Sequence, residues 1–176
     1  MAEYEVDIMS VKSIERLRRD LRDYKRSLKS KVNKLVTALY KLGLEVIEVH
    51  VNESPLGHHI HVKVEREGSR AVLIATGDLK ISEGYEPFNT LLAIEFGAGI
   101  HYNHDENPKA DEFGYGVGTF PEQTHAFQEE GWYYFDESDQ KWKHSFGVQA
   151  TMPMFHASEE MRKQLVTIAR EVFADA

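Results

Sequence analysis

Apolar residues recur every three or four positions through the first quarter of the chain, a spacing that predicts one amphipathic helix. The stripe consists of Ile14, Leu17, Leu21, Tyr24, Leu28, Val32, Leu35, Leu39 and Leu42. We expect the helix to begin near Ser10 or Ser13 and to end at Gly43, because glycine adopts the left-handed conformation that closes a helix. Such a helix would be ~45 Å long, more than a domain of this size can cover. Its more charged half, residues 13–31, is therefore expected to project.

After Gly43 the apolar residues alternate, which predicts strands separated by turns. The predicted strands cover residues 44–51, 60–64, 71–76 and 91–96. A hairpin with an acidic tip is predicted between residues 132–135 and 141–146, and a second amphipathic helix over residues 151–174. Between them, residues 101–128 keep no period, and we expect a long loop that a neighbouring molecule orders. All elements fit one domain, residues 1–176, with the sheet region at 44–150.

The composition excludes several protein classes. The 176 residues include no cysteine, which removes disulfide frameworks, thiol nucleophiles and cysteine-based metal sites. A chain of this length can bury a core without them. The longest uninterrupted apolar run is five residues, at 71–75, and the run at 91–94 is four, far below the roughly 20 that a membrane helix needs. We therefore expect an unexported protein that has no membrane span.

Charge is segregated along the chain. Of the 21 lysines and arginines, 11 lie between Lys12 and Lys41 beside only three acids, giving +8 there and −16 elsewhere for a total of −8. The aromatic residues are also unevenly distributed, because 14 of the 19 lie between Tyr85 and Phe146. A basic helix joined to an acidic, aromatic-rich body favours self-association and nucleic-acid binding alike. Tyr24 lies on the apolar stripe and offers no stacking platform, so a solvated or subunit-facing helix is the preferred interpretation.

The histidines raise the question of a metal site. His59 and His61 share one face of a predicted strand, beside His58, and this geometry can hold a metal. The same positions also suit solvent-facing or interface histidines on the polar face of an alternating strand, and we assign no metal ligands. Further ligands for the metal alternative could come from His101, His104, Asp105 and His125.

The remaining chemical signals favour no enzyme and no cofactor. The glycine-rich run at 114–118 lacks the strand, the Lys-Ser/Thr pair and the helix of a phosphate loop, so a simple loop explains it better. No Gly-x-Ser-x-Gly elbow is present. Glu95, between two apolar residues, can be a catalytic group, or it can pair with backbone or with a basic side chain. The structural role is the preferred interpretation.

Four segments in a fixed order carry a family resemblance. Residues 91–103, with Glu-Phe-Gly-Ala-Gly at their centre, resemble the signature of the gene-product-ten-like minor structural proteins of long-tailed phages, the head–tail joining or tail-completion family. Residues 131–136 (Gly-Trp-Tyr-Tyr-Phe-Asp), 144–157 and the closing helix at 161–173 are similar to later parts of the same pattern. The long charged N-terminal helix also fits that family.

The resemblance implies an α+β fold, a small, mostly antiparallel sheet packed by a long N-terminal helix and a C-terminal helix. It also implies a non-enzymatic virion protein of a phage or prophage that forms a ring, commonly a hexamer, at the head–tail joint. Its partners would be itself and other neck and tail proteins, in the host cytoplasm during assembly and then in the virion. The alternatives are a tail-tube terminator and a DNA-binding accessory protein that uses the basic helix.

The candidate structural or interface residues lie in these motifs. They are Glu95, Phe96, Gly97, Gly99, Trp132, Pro153, Met154 and Phe155. We expect Pro153 in the first turn of the last helix, with Thr151 as its cap, because proline has no amide hydrogen to leave unpaired. Met154 or Phe155 should then pack beside residues 95–97, while Gly97 and Gly99 let the backbone turn. Alternatively, Phe155 is an exposed anchor for a neighbouring subunit.

Overall fold

A computed structural model describes residues 6–80, 88–99, 128–136 and 139–174. Apart from Gln128, the predicted loop at 101–128 lies outside these ranges. The described elements confirm the α+β class. They are α1 (Val11–Asn52), β1 (Ile60–Glu67), β2 (Arg70–Gly77), β3 (Leu79–Lys80), β4 (Phe88–Asn89), α2 (Thr90–Phe96), β5 (Ala98–Gly99), β6 (Trp132–Asp136), β7 (Lys141–Ser145), β8 (Gly147–Val148) and α3 (Pro153–Ala174), with a short 3-10 helix at Gly57–His59 before β1.

The described strands form small antiparallel sheets of two strands each. β1 pairs with β2, β3 with β4, β5 with β8 and β6 with β7. The predicted strands at 60–64 and 71–76 are confirmed and meet in register, with Val62 opposite Ala75. The predicted hairpin at 132–146 and the C-terminal helix are also confirmed.

The helix α1 continues well beyond its predicted end. It begins after Ser10, whose hydroxyl oxygen accepts from the Ser13 amide, and it runs to Asn52. Gly43 is buried inside the helix, where an added Cβ would lie 2.5 Å from Leu73 Cδ1 and 2.8 Å from the Met161 sulfur. The glycine therefore admits β2 and α3 at close range and does not end the helix. The predicted strand at 44–51 is accordingly wrong.

The two long helices pack antiparallel over only part of α1. His50 stacks on His156 with ring centroids 4.3 Å apart, and Lys31 Nζ lies 5.9 Å from the centre of the Phe173 ring. The 22 residues of α3 span about 33 Å, which matches residues 31–50 of α1. Residues 21–30 are exposed throughout. The expectation that the N-terminal half of α1 projects is thus confirmed.

The short helix α2 replaces the strand predicted at 91–96. The Asn89 side chain accepts from the amides of Leu91 and Leu92, which caps the first turn. A short, mostly apolar segment such as residues 91–96 has no distinguishing period, so the cap decides between helix and strand. Gly97, with φ of 79°, follows the last helical residue.

The core lies where the C-terminal half of α1 meets α2 and the start of α3. Its buried cluster consists of Ile47, Val51, Ile94 and Ala157. Half-buried residues of β1 and β2 pack against this cluster, among them Val62 and Leu73. In the described ranges, no helix combines the length and the apolar character needed to cross a membrane.

Candidate functional site

Glu95 connects the end of α2 to the beginning of α3. Its carboxylate oxygens accept from the amides of Met154 and Phe155, each at 3.0 Å. A helix leaves its first amides without partners inside the helix, and a carboxylate also matches the positive end of the helix dipole. Glu95 is 9% exposed. The predicted pairing of Glu95 with backbone is therefore confirmed.

Pro153 is the first residue of α3, as predicted. The amides of Thr151 and Met152 donate to the Ile94 carbonyl at 2.8 and 3.1 Å, so α2 also holds the segment that leads into α3. The predicted cap by Thr151 is wrong. Its buried hydroxyl oxygen has no hydrogen-bond partner among the described residues, because the Glu95 carboxylate takes the open amides.

The glycines on this side of the core sit where side chains could not fit. Gly97 and Gly99 have φ of 79° and 66°, so the expectation that they let the backbone turn here is confirmed. An added Cβ at Gly99 would lie 2.7 Å from the Trp132 ring and 2.5 Å from the Phe146 carbonyl oxygen. Trp132 thereby covers β5. Phe96, the last residue of α2, is also buried, at 2% exposure.

The structure thus brings residues 95–97 and 153–155 into one junction, which we call the α2–α3 junction, while Gly99 and Trp132 lie against each other on β5 and β6. Met154 packs against the core cluster, which confirms that one of the two residues after Pro153 is inside. Phe155 is half-buried and lies edge-on to His156 at 5.6 Å. Because most of its members are buried, this junction fixes the position of α3 and offers little surface to a partner.

Beside the junction, an open cavity lies next to the point where the end of α1 meets the start of α3. It is lined by His50, Glu53, Ser54, Pro55, Gln149, Ala150, Thr151 and His156. His50 Nδ1 lies 3.2 Å from a Glu53 carboxylate oxygen. Burial, with the adjacent His50 as a smaller cause, lowers the pKa of His156 below its ordinary 6.5. A neutral His156 avoids the repulsion of two charged rings in one stack.

His59 ends the 3-10 helix, so the prediction that it shares a strand face with His61 of β1 is wrong, but both contact Asp78. The His59 Nδ1 and His61 Nε2 atoms lie 2.9 and 3.1 Å from its two carboxylate oxygens. These hydrogen bonds, the one with His59 first, lower the pKa of Asp78. Across the described residues, no group of three or more potential ligands is arranged to hold a metal ion. The predicted further ligands His101, His104, Asp105 and His125 lie outside them.

The β6–β7 hairpin carries an exposed aromatic surface that sequence reasoning missed. Tyr133 lies opposite His144, and Phe135 lies opposite Trp142 at 5.6 Å edge-on, while His144 also contacts Phe146. Tyr133 and Trp142 are 71% and 70% exposed. We call these five side chains the aromatic face. The sequence contained a signal for this face, because aromatic residues stand at alternate positions of both predicted strands. Side chains at alternate positions of a strand point to the same face of a sheet.

Acidic residues surround the aromatic face. Residues 128–146 contain five acids and two lysines, a net charge of −3. Lys143 Nζ pairs with carboxylates of Asp136 at 2.6 Å and Asp139 at 3.0 Å. These contacts, the one with Asp136 first, raise the pKa of Lys143. Exposed Glu129 and Glu130 at the base of the hairpin leave the surroundings of the aromatic face negative.

Positive charge is concentrated on the projecting part of α1, residues 11–30, which we call the arm. It contains eight basic and three acidic residues, a net charge of +5. Ile14, Leu21, Tyr24 and Leu28 of its apolar stripe are between 42% and 60% exposed. Isolated apolar residues on a surface are ordinary, but a continuous stripe along a helix is typical of an interaction site.

Comparisons with protein-family models, with curated proteins and with solved structures gave no significant match. Function is therefore argued from the surfaces described above and from the motifs of the sequence.

Proposed function

We propose that this chain is a non-enzymatic structural protein of a phage virion, which forms a ring at the head–tail interface and joins or completes the tail. The arm is the observation that carries the proposal. It extends about 30 Å beyond α3 and exposes an apolar stripe to solvent. Helices in proteins owe most of their stability to packing of the apolar face. An arm of this kind is suited to packing on another subunit.

The α2–α3 junction adds support through the motifs that resemble the phage family. Glu95 in the first motif segment accepts from amides in the third segment, and Trp132 of the second contacts Gly99. Residues that are far apart in the sequence thus form one structural unit. This is what a shared pattern of motifs would preserve in a protein whose role is to hold a shape.

Charge distribution favours assembly of like subunits. The arm carries +5 and the hairpin region −3, so each subunit offers one surface of each sign. A contact between two different surfaces of identical subunits is heterologous, and it closes into a ring when the rotation per subunit divides the circle. The proposed locations are the host cytoplasm during assembly and then the virion. The proposed partners are further copies and other neck and tail proteins.

The native mass of the purified protein, alone and with candidate neck and tail proteins, tests this function. We expect a monomer or a weak oligomer alone and a closed ring when the ring partners are present. A chain that stays monomeric with every neck and tail component would contradict the proposal. A specific hydrolase or transferase activity would overturn the class. A tail-tube terminator would be recognised by its assembly with tail-tube protein only.

A DNA-binding accessory protein is the second candidate, which the eight basic residues of the arm favour. Cations aligned on a helix neutralise phosphates, and such binding weakens linearly on a log–log plot as salt increases. Titration of duplex DNA at several salt concentrations distinguishes the candidates. Binding with this salt dependence, together with no ring formation, would replace the structural role by the DNA-binding role.

A further inference from the structure

We infer that the arm of one subunit docks, through its apolar stripe, on the aromatic face of a second copy of this chain. The inference deepens the proposed ring and rests on it for the presence of neighbouring copies. It names the two surfaces that meet, and it is tested separately from ring formation.

The two surfaces match in chemistry and in size. Aromatic side chains bury about 150–250 Å² each, so the exposed parts of Tyr133, Phe135, Trp142 and Phe146 leave roughly 400–500 Å² to cover. This is about the size of the largest apolar patch on a typical monomer, and such patches are often functional. Leu21, Tyr24 and Leu28 lie on one side of the arm and are unpacked by the described part of their own chain. A helix stripe against a two-stranded sheet would cover both surfaces.

The charges around the two surfaces are complementary. Arg18 and Lys25 follow stripe residues by one position in the helix, so they flank one side of the stripe. The aromatic face has exposed Glu129 and Glu130 at its base and Asp139 at its tip. Docking would place arm cations beside hairpin carboxylates. Such complementarity guides encounter and fixes the register of the contact.

The arm cannot reach the hairpin of its own chain. The hairpin joins α3 through β8 at the N-terminal end of α3, whereas the arm leaves at the other end, beside Phe173. These ends are about 33 Å apart. The five-residue strands of the hairpin span only about 17 Å. As α1 is one continuous helix, an arm that covers the aromatic face must come from another molecule.

A pairing of two arms is the competing arrangement, and charge disfavours it. Each arm has a net charge of +5, so a coiled coil of two arms would bring together like charges. It would also leave the aromatic face uncovered. A heterologous contact covers both surfaces in every subunit and needs no third component.

Cysteine cross-linking tests the contact, since the chain contains no cysteine of its own. Full-length Ser27→Cys, beside the stripe, is mixed with full-length Lys141→Cys, near the tip of the hairpin, and treated with a short bismaleimide. We expect the mixed pair to cross-link at least tenfold faster than Ser27→Cys alone. It should also exceed, by the same factor, a mixture in which Glu171→Cys on α3 replaces Lys141→Cys.

Two further substitutions show whether the apolar surfaces themselves make the contact. Leu21→Glu added to the arm variant, or Trp142→Ser added to the hairpin variant, should each lower the cross-linking rate at least fivefold. The matched controls are Val166→Glu, which changes an exposed residue of α3, and Tyr134→Ser, on the opposite face of the hairpin. Both should leave the rate unchanged, and circular dichroism confirms that each variant is folded.

Three results would overturn the inference: fastest cross-linking between two arms, a mixed rate no higher than that of the α3 mixture, or a mixed rate insensitive to Leu21→Glu and Trp142→Ser. Failure of the proposed function looks different. If these cross-links form as expected but no ring assembles with neck and tail proteins, the contact stands and the phage role fails. If rings assemble with both altered surfaces, the phage role stands and this contact fails.

Discussion

The two halves of α1 have the same apolar period and different surroundings. From Lys31 onward the stripe is covered by α3 and β2, and Ile47 is buried at 1% exposure. In the arm the same period continues, yet Leu21 is 49% exposed. The comparison teaches that periodicity identifies the face of a helix that must be covered, while the length of the packing partner decides how much of that face is covered within one chain.

The largest effect should come from the covered half. Ile47→Ala removes a side chain from the centre of the core cluster, and it should lower the free energy of unfolding by about 3 kcal/mol. Urea unfolding followed by circular dichroism measures this. The matched change in the arm, Leu21→Ala, should alter stability by less than about 0.5 kcal/mol. Equal losses would mean that the arm is packed in the isolated molecule.

The second-largest effect should come from the contact of Glu95 with the start of α3, the helix that covers the C-terminal half of α1. Glu95→Ala removes the acceptor of the Met154 and Phe155 amides and should cost about 2–3 kcal/mol, because these amides are left inside without partners. Glu95→Gln keeps one acceptor oxygen and should cost less. Thermal melting of both variants measures the order. A Glu95→Ala protein as stable as its parent would show that water replaces the carboxylate.

An element of this fold could be predicted from the sequence where a local pattern determines it, and not where distant contacts do. The projecting arm, the β1–β2 pair, the hairpin and Pro153 at the start of α3 followed from local patterns. The continuation of α1 did not, because residues 44–51 alternate like a strand while Gly43, Ile47 and Val51 also recur every four positions. These residues, Gly43, Ile47 and Val51, are the buried ones of α1, and their packing favours the helix over the strand. Such a choice depends on contacts that no local pattern contains.

The candidate site shows the same division. The motifs located the α2–α3 junction, and the expected pairing of Glu95 with backbone was right. Its partners could not be foreseen, because they lie about 60 residues later in the chain. Thr151 has the local pattern of a cap, yet the distant carboxylate takes its place. The aromatic face was visible in the alternation of the two strands, but its exposure depends on what covers the hairpin.

A smaller effect should appear on acidification, at the end of the covered half. His156 has a lowered pKa in the folded protein, so between that value and 6.5 the unfolded chain binds more protons and stability falls as the pH falls. We expect the melting temperature to decrease by a few degrees as the pH goes from 7.5 to 5.5. His156→Gln should reduce this decrease, whereas His144→Gln on the exposed aromatic face should not. An unchanged pH dependence in His156→Gln would contradict the assignment of the effect to this residue.

The smallest effect on folding, and the sharpest test of the comparison, is expected in the arm. Leu28→Ser replaces an exposed residue, so the melting temperature of dilute protein should change by no more than a degree or two, the equivalent of about 0.5 kcal/mol. In concentrated protein at low salt, where we expect subunits to associate, the same change should weaken association. Sedimentation velocity measures it, and the association of the parent should itself weaken at ~0.5 M salt, where the Debye length falls to a few Å. If Leu28→Ser lowers the melting temperature of dilute protein by many degrees, the arm is covered within its own chain. If the Leu28→Ser variant associates as strongly as the parent protein, the stripe is not the surface that another subunit covers.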